Sequence, residues 1–285
     1  MTDVVGALAA VQPADVLAAL RLVRDGVVVD LSVPLDPDLL PAGDPAFNLP
    51  LHRADVMTPA GWQARVASGP RGFHLDAFGG SLHQGTHLDG LAHLVEHGRI
   101  FAGHRESEVR TDRGWTRAGI ETVPPILLRG VLLDVAAVSG PLTGSAEVTP
   151  DDLQAAIETQ GVQLRQNDAV LVRTGKIGEL ESARERFLDQ QPGIGLDGAR
   201  LLADAGMALY GSDTGGTEPQ PVRDWERTVH AELLVRRGIH LLEWLDLDPL
   251  VARLAEHDRW EFLLIVLPLR IAGATGSWVR PVAVL

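Results

Sequence analysis

The 285-residue chain contains no cysteine, so it has no disulfide framework, no thiolate nucleophile and no thiolate ligand for a metal. It also has no run rich in lysine or arginine. Its 38 acidic residues against 25 basic ones leave a formal net charge of −13 and a pI near 5.1, a balance that repels phosphate backbones and anionic lipid. No apolar stretch approaches the roughly 20 residues that cross a bilayer, and the start, Met1-Thr2-Asp3-Val4-Val5, lacks the basic region of a signal peptide. The expectations are a protein of the cytoplasm with no nucleic-acid partner and no membrane partner, acting on a small-molecule substrate.

Several catalytic signatures are missing too. There is no G-x-S-x-G elbow and no Walker loop, and Gly273-Ala274-Thr275-Gly276-Ser277 lacks the lysine that a phosphate loop carries. Gly193-Ile194-Gly195-Leu196-Asp197-Gly198 fits G-x-G-x-x-G, but Leu188-Asp189-Gln190-Gln191-Pro192 before it does not read as the strand a dinucleotide fingerprint requires.

What is present is histidine, in one place. Residues 83–93 read His83-Gln84-Gly85-Thr86-His87-Leu88-Asp89-Gly90-Leu91-Ala92-His93, three imidazoles and a carboxylate in a short span. Imidazole nitrogen and carboxylate oxygen suit a divalent ion such as zinc or manganese, and these donors do not separate the two metals. Thr86 followed by Asp89 has the form of a helix cap, so the spacing predicts a helix from about His87 to Glu96, ended by Gly98, with Asp89 and His93 on one face and His83 brought round at Gly85.

The rest of the chain alternates. Apolar spacing predicts a helix over Asp15–Arg24 and a strand over Val27–Leu31. Residues 36–72, rich in Pro, Gly and Ala, read as a long loop or weak hairpin region near the site. Strands are predicted over Ile126–Val135, Ala169–Arg173, Met207–Gly211, Gly238–Leu242, Trp260–Leu267 and Val279–Leu285. Helices are predicted from the Thr149 cap to about Thr159, over Asp197–Ala205 and over Glu226–Arg237. The pattern is that of an α/β protein with a mixed sheet, residues 1–26 forming a helical extension and 27–285 one domain.

A metal site needs donors beyond the cluster. His230 and Glu243 are candidates: a structural histidine is as good a reading of the first, and Glu243 ends an apolar strand, where a buried carboxylate is costly unless paired. Asp213 is either a supporting partner or a cap. Trp62, Trp115, Trp225, Trp244 and Trp278, with Phe47 and Phe73, are candidate linings of an aromatic pocket or core anchors.

The stretch from His83 to Asp89 with His93 fits H-x-G-T-H-x-D-x-x-x-H and resembles the cyclase family of metal-dependent hydrolases, which includes kynurenine formamidase and isatin hydrolase. Asp30-Leu31-Ser32, Arg173-Thr174-Gly175, Gly211-Ser212-Asp213-Thr214, Gly238-Ile239 and the Pro268-to-Ala283 ending extend the resemblance over about residues 27–285. It implies a swivelling β/β/α type of fold, a homodimer or homotetramer, and one or two zinc or manganese ions. By similarity His83, His87 and Asp89 hold one metal, Asp89 bridges to a second held by His230 and Glu243, and His93 is the general acid/base. Gly90-Leu91-Ala92 stands where small formamidases carry a proline, and residues 99–125 are longer, so the class of chemistry transfers better than the substrate. The expected reaction is hydrolysis of a small amide, an aryl formamide or cyclic amide, by metal-activated water. A lactonase or esterase, a metal-assisted dehydratase or cyclase, and a non-catalytic binder are the alternatives.

Overall fold

The computed structural model describes residues 2–36 and 78–285, together with the backbone of four short strands between them. One compact unit comprises Met1–Pro34 and Leu82–Leu285, a smaller one Leu35–Ser81. In the smaller unit Leu51–Ala54 pairs antiparallel with Phe73–Asp76, and Val56–Met57 with Ala64–Arg65; the first, third and fourth of these strands lie in the stretch 36–72 predicted as loop or weak hairpin, and Phe73–Asp76 just beyond it. Phe47, Trp62 and the Phe73 side chain lie outside the described residues.

The larger unit is a mixed α/β fold, as expected. Its strands are β1 (Val28–Asp30), β2 (His87–Asp89), β3 (Ile126–Asp134), β4 (Ala169–Arg173), β5 (Leu209–Ser212), β6 (His240–Glu243), β7 (Glu261–Val266), β8 (Gly276–Trp278) and β9 (Val282–Val284). They form one sheet in the order β1-β9-β7-β3-β4-β5-β6-β2-β8. The central strands β3, β4, β5 and β6 run parallel, and every pairing outside them is antiparallel.

Both faces of this sheet are covered, which is why its middle strands read as continuous apolar runs rather than alternating ones. Successive side chains go to opposite faces. Leu132, Leu171, Leu209 and Leu242 enter one core with Phe262 and Leu264; Val131, Leu133, Val170, Tyr210 and Leu241 enter the other. Gly130 breaks the run in β3 because a Cβ there would lie 2.3 Å from the Phe262 ring.

The flanking helices follow local signals. Pro150–Gln160 starts from a Thr149–Asp152 capping box with proline in its first turn and stops at left-handed Gly161. Pro13–Leu20, in the predicted N-terminal extension, packs on β3, and Leu8 just before it is buried in the first core. The predicted helix over Glu226–Arg237 is broken into a short 3-10 turn, Trp225–Arg227, and a wider π-type helix, Ala231–Arg237. Strand β8 and the helix Asp248–Glu256 were not anticipated. No helix of the described residues is long and apolar enough to cross a membrane.

Candidate metal centre

The histidine cluster does not form the predicted helix. His87-Leu88-Asp89 is strand β2, paired on one side with β6 and on the other with β8. Two strands claim its backbone hydrogen bonds, and the Thr86 hydroxyl donates to Trp244 O at 2.7 Å instead of capping a helix. Tertiary pairing thus overrides the local cap signal. The turn at residues 97–98 is made by left-handed His97 and Gly98.

The strand brings the donors together by a period of two. His87 and Asp89 project to one face and Leu88 into the core on the other. Because β6 pairs with Glu243 opposite His87 and Leu241 opposite Asp89, Glu243 arrives on the same face. His230 comes from just before the π-type helix, while His83 and His93 come from the turns on either side of β2.

All of these groups converge on Asp89, which is fully buried. His83 Nδ1 is 2.7 Å and His87 Nε2 3.4 Å from Asp89 Oδ1, whereas His230 Nε2 is 3.7 Å and His93 Nε2 4.0 Å from Oδ2. Glu243 closes the group, with Oε2 3.5 Å from His87 Nε2 and Oε1 3.5 Å from His230 Nε2. His93 stacks on His83 with ring centroids 3.9 Å apart.

The donor set fits a divalent ion. Donors around a tetrahedral ion bound at about 2.1 Å stand about 3.4 Å apart, close to the spacings His87–Asp89, His87–Glu243, His230–Glu243 and His230–Asp89. Asp89 Oδ2 is buried and accepts no hydrogen bond among the described residues, a costly arrangement for a carboxylate unless a cation meets it. His87 Nδ1 donates to Gly85 O at 2.8 Å, which leaves the Nε2 lone pair facing inward. His83 is held differently: Nδ1 on Asp89 and Nε2 on Thr275 Oγ1 at 2.9 Å are hydrogen bonds. Gly276 makes room for its ring, since a Cβ there would lie 2.6 Å from it.

The electrostatics are those of a charge cluster in a largely buried site. Burial opposes ionisation of Asp89, but the surrounding His93, His83 and His87 hold its carboxyl well below the usual range. Burial, and then Asp89 itself, push Glu243 up. Burial, with His83, His230 and His87 close by, takes His93 down to about 4 against the pull of Asp89. His230 goes the other way: burial disfavours its charge, yet Glu218, Glu243 and Asp89 raise it to about 10.

All six predicted site residues therefore meet in one place, His83, His87, Asp89, His93, His230 and Glu243. Asp213 does not join them; it accepts hydrogen bonds from Thr174 N, Thr174 Oγ1 and Gly175 N, and so ties β5 to the turn after β4. Trp225 is 74% exposed, whereas Trp244 and Trp278 are buried. Sequence reasoning missed Thr217, Glu218 and Thr275, which bond to the cluster from distant loops; an acid before a proline in Thr217-Glu218-Pro219 was the only signal, and a weak one.

Comparison with known proteins shows the family. The family model described as "Putative cyclase" matches residues 29–219, which include His83, His87, Asp89 and His93. A crystal structure described as a novel cyclase is 28% identical, with a TM-score of 0.84 over 98% of this chain and 95% of that one. Isatin hydrolase A from Ralstonia solanacearum shares the fold at 22% identity, TM-score 0.65, covering 96% of this chain and 97% of its own. An isatin hydrolase bound to the product analogue thioisatinate does so at 20% identity, TM-score 0.63, covering 96% and 99%. With two thirds of its length matched by the family model, the chain belongs to the cyclase family.

Proposed function

We propose that this protein is a metal-dependent hydrolase that cleaves a C–N bond of a small amide, an aryl formamide or a cyclic amide. The observation that carries the reading is the buried Asp89 carboxylate, ringed by four imidazoles and Glu243, with one oxygen left without a hydrogen bond. The fold shared with isatin hydrolase supports the amide assignment. In this reading His83, His87 and Asp89 hold one zinc or manganese ion, His83 Nδ1 exchanging its hydrogen bond for it, and Asp89, His230 and Glu243 hold a second where two are bound. The ion supplies a Lewis acid that polarises the amide carbonyl and lowers the pKa of water.

His93 is the general acid/base. Its side chain is 29% exposed, against full burial for Asp89, so it stands at the open edge of the cluster. It is neutral at pH 7 and free to accept the proton of the attacking water at Nε2 and return it to the departing nitrogen. Stacking on His83 fixes the ring. By the same resemblance the protein is a homodimer or homotetramer.

The test is a panel of formanilides, isatin-like lactams and lactones, offered to metal-stripped protein and to protein reloaded with Zn²⁺ or Mn²⁺. Metal-dependent hydrolysis of an amide member is expected. Turnover confined to lactones would overturn the C–N assignment, and a product lacking the elements of water would overturn hydrolysis itself.

A further inference from the structure

Thr217 and Glu218 are neighbours in sequence, and each holds a different member of the cluster. Thr217 Oγ1 donates to Glu243 Oε1 at 2.7 Å. Glu218 Oε2 accepts from His230 Nδ1 at 2.6 Å and from the His230 backbone N–H at 3.3 Å. Thr217 is fully buried and Glu218 only 7% exposed, so these bonds do not compete with bulk water.

The dipeptide is itself fixed from behind. Ile194 N donates to Thr217 O at 3.0 Å. The backbone then passes so close to Gly193 that a Cβ there would lie 2.4 Å from the Glu218 carbonyl carbon and 2.5 Å from Thr217 O. Gly193 opens the G-x-G-x-x-G stretch, and the same stretch carries Gly198, where a Cβ would press on Ile194 and Leu153. The glycines that resemble a nucleotide loop thus serve close packing: Gly193 lets the Gly193–Ile194 strand back the Thr217–Glu218 peptide, and Gly198 lets the helix Leu196–Asp204 pack on Ile194 and Leu153.

We propose that Thr217 and Glu218 form a bracket of positioning residues that aims Glu243 and His230 at Asp89, and so sets the affinity of the centre for its ion. The inference rests on the metal-centre reading above. A histidine that gives its Nδ1–H to a carboxylate is held with Nε2 inward and, once the ion displaces the proton on that nitrogen, is a stronger donor; such outer partners typically change metal affinity about 10- to 100-fold. The Thr217 hydroxyl fixes the rotation of the Glu243 carboxylate, whose two oxygens must reach His230 and His87 separately.

The experiment is calorimetric titration of Zn²⁺ into metal-stripped full-length protein, for the wild type and for Glu218→Gln, Glu218→Leu and Thr217→Val. Thermal unfolding without metal checks that each variant folds. Glu218→Leu should weaken Zn²⁺ binding by about 10- to 100-fold, and Glu218→Gln by less, because its amide oxygen still accepts the imidazole N–H. That partial rescue separates orientation from mere packing. Thr217→Val, which is nearly isosteric, should also weaken binding while the unfolding temperature of the stripped protein stays within a few degrees of the wild type. Should Glu218→Leu not fold, Glu218→Gln and Thr217→Val decide the matter. Wild-type affinity in the folded variants overturns the bracket and leaves the metal centre standing. A wild type that binds no Zn²⁺ overturns the metal centre and the bracket with it, whereas tight binding without turnover of any amide overturns only the proposed reaction.

Discussion

His87 and Glu243 face one another across the antiparallel strands β2 and β6, with His87 Nε2 3.5 Å from Glu243 Oε2 and both side chains buried. Sheet register, not sequence proximity, makes this pair, and it sets a second buried carboxylate beside Asp89. Burial and the Asp89 charge both disfavour ionised Glu243, so the metal-free protein carries an electrostatic cost that a divalent cation removes.

Metal should therefore stabilise the fold as well as serve the reaction. An ion present at about 100 times its dissociation constant adds about 2.7 kcal/mol if it binds only the folded state. For a chain of this size that corresponds to a rise of about 4–5 °C in Tm. Differential scanning fluorimetry with Zn²⁺ or Mn²⁺ against chelator reads it directly; an unfolding temperature indifferent to metal speaks against an ion at Asp89.

His93 separates catalysis from ligation. It lies 4.0 Å from Asp89 Oδ2, farther than His83, His87 or His230 from the same carboxylate, and at the exposed edge. His93→Ala should keep nearly the wild-type metal content while kcat falls about 10²- to 10⁴-fold, the range of a positioned acid–base group. Elemental analysis beside steady-state kinetics distinguishes the outcomes: loss of metal in this variant makes His93 a ligand.

In the metal-free protein His93 and His230 together contribute most to stability near pH 6.5, whereas Asp213, pushed up to about 6 by burial, contributes stability that is whole below its ordinary 3.8 and is lost as pH rises towards 6. His93, with its folded pKa taken down to about 4 chiefly by burial, is unprotonated in the fold where the unfolded chain already binds a proton. Stability therefore falls as pH drops from its ordinary 6.5 towards 4. His230 is raised to about 10, the carboxylates of Glu218, Glu243 and Asp89 outweighing burial. Its contribution is whole below 6.5 and is lost as pH rises towards 10. Thermal unfolding of chelator-treated wild type and His93→Ala across this range tests it: the destabilisation His93 causes between pH 6.5 and 4 should be missing from the variant.

Much of this architecture can be read from residues alone. The apolar runs at Ile126, Ala169 and Glu261 are strands because a sheet covered on both faces needs continuous apolar sequence, and Thr149-Pro150 with Asp152 starts a helix through chemistry contained in four residues. That His83, His87, Asp89, His93, His230 and Glu243 belong together was legible from residue type and family resemblance. Their local structure was not, because Thr86 and Asp89 carry a helix-cap pattern while the strands that capture His87–Asp89 lie some 150 and 190 residues away. Thr217 and Glu218 escaped for the same reason: a threonine and a glutamate acquire their role only when the fold sets them against Glu243 and His230.

Away from the site, the Arg129 guanidinium binds three elements together. Its Nη1 donates to Asp168 Oδ2 at 2.6 Å, its Nε to Glu261 Oε2 at 3.1 Å and its Nη2 to Gln163 O at 3.0 Å, and both Arg129 and Asp168 are buried. Arg129→Met leaves the buried Asp168 carboxylate without its ion-pair partner, with the Arg165 N–H still donating to Oδ2 at 2.7 Å, a change that typically costs about 3–5 kcal/mol. Unfolding should move down accordingly at pH 7, and adding Asp168→Leu should return part of the loss by removing the orphaned charge. The deficit should also shrink in acid. The hydrogen bond from Arg129 is the main reason the Glu261 carboxyl sits below its ordinary 4.5; the stability this supplies is present above that value and is lost as pH falls through the lower, folded one. A double variant as unstable as Arg129→Met alone, with a deficit unchanged in acid, would place the loss in packing of the arginine stem instead of in its charge.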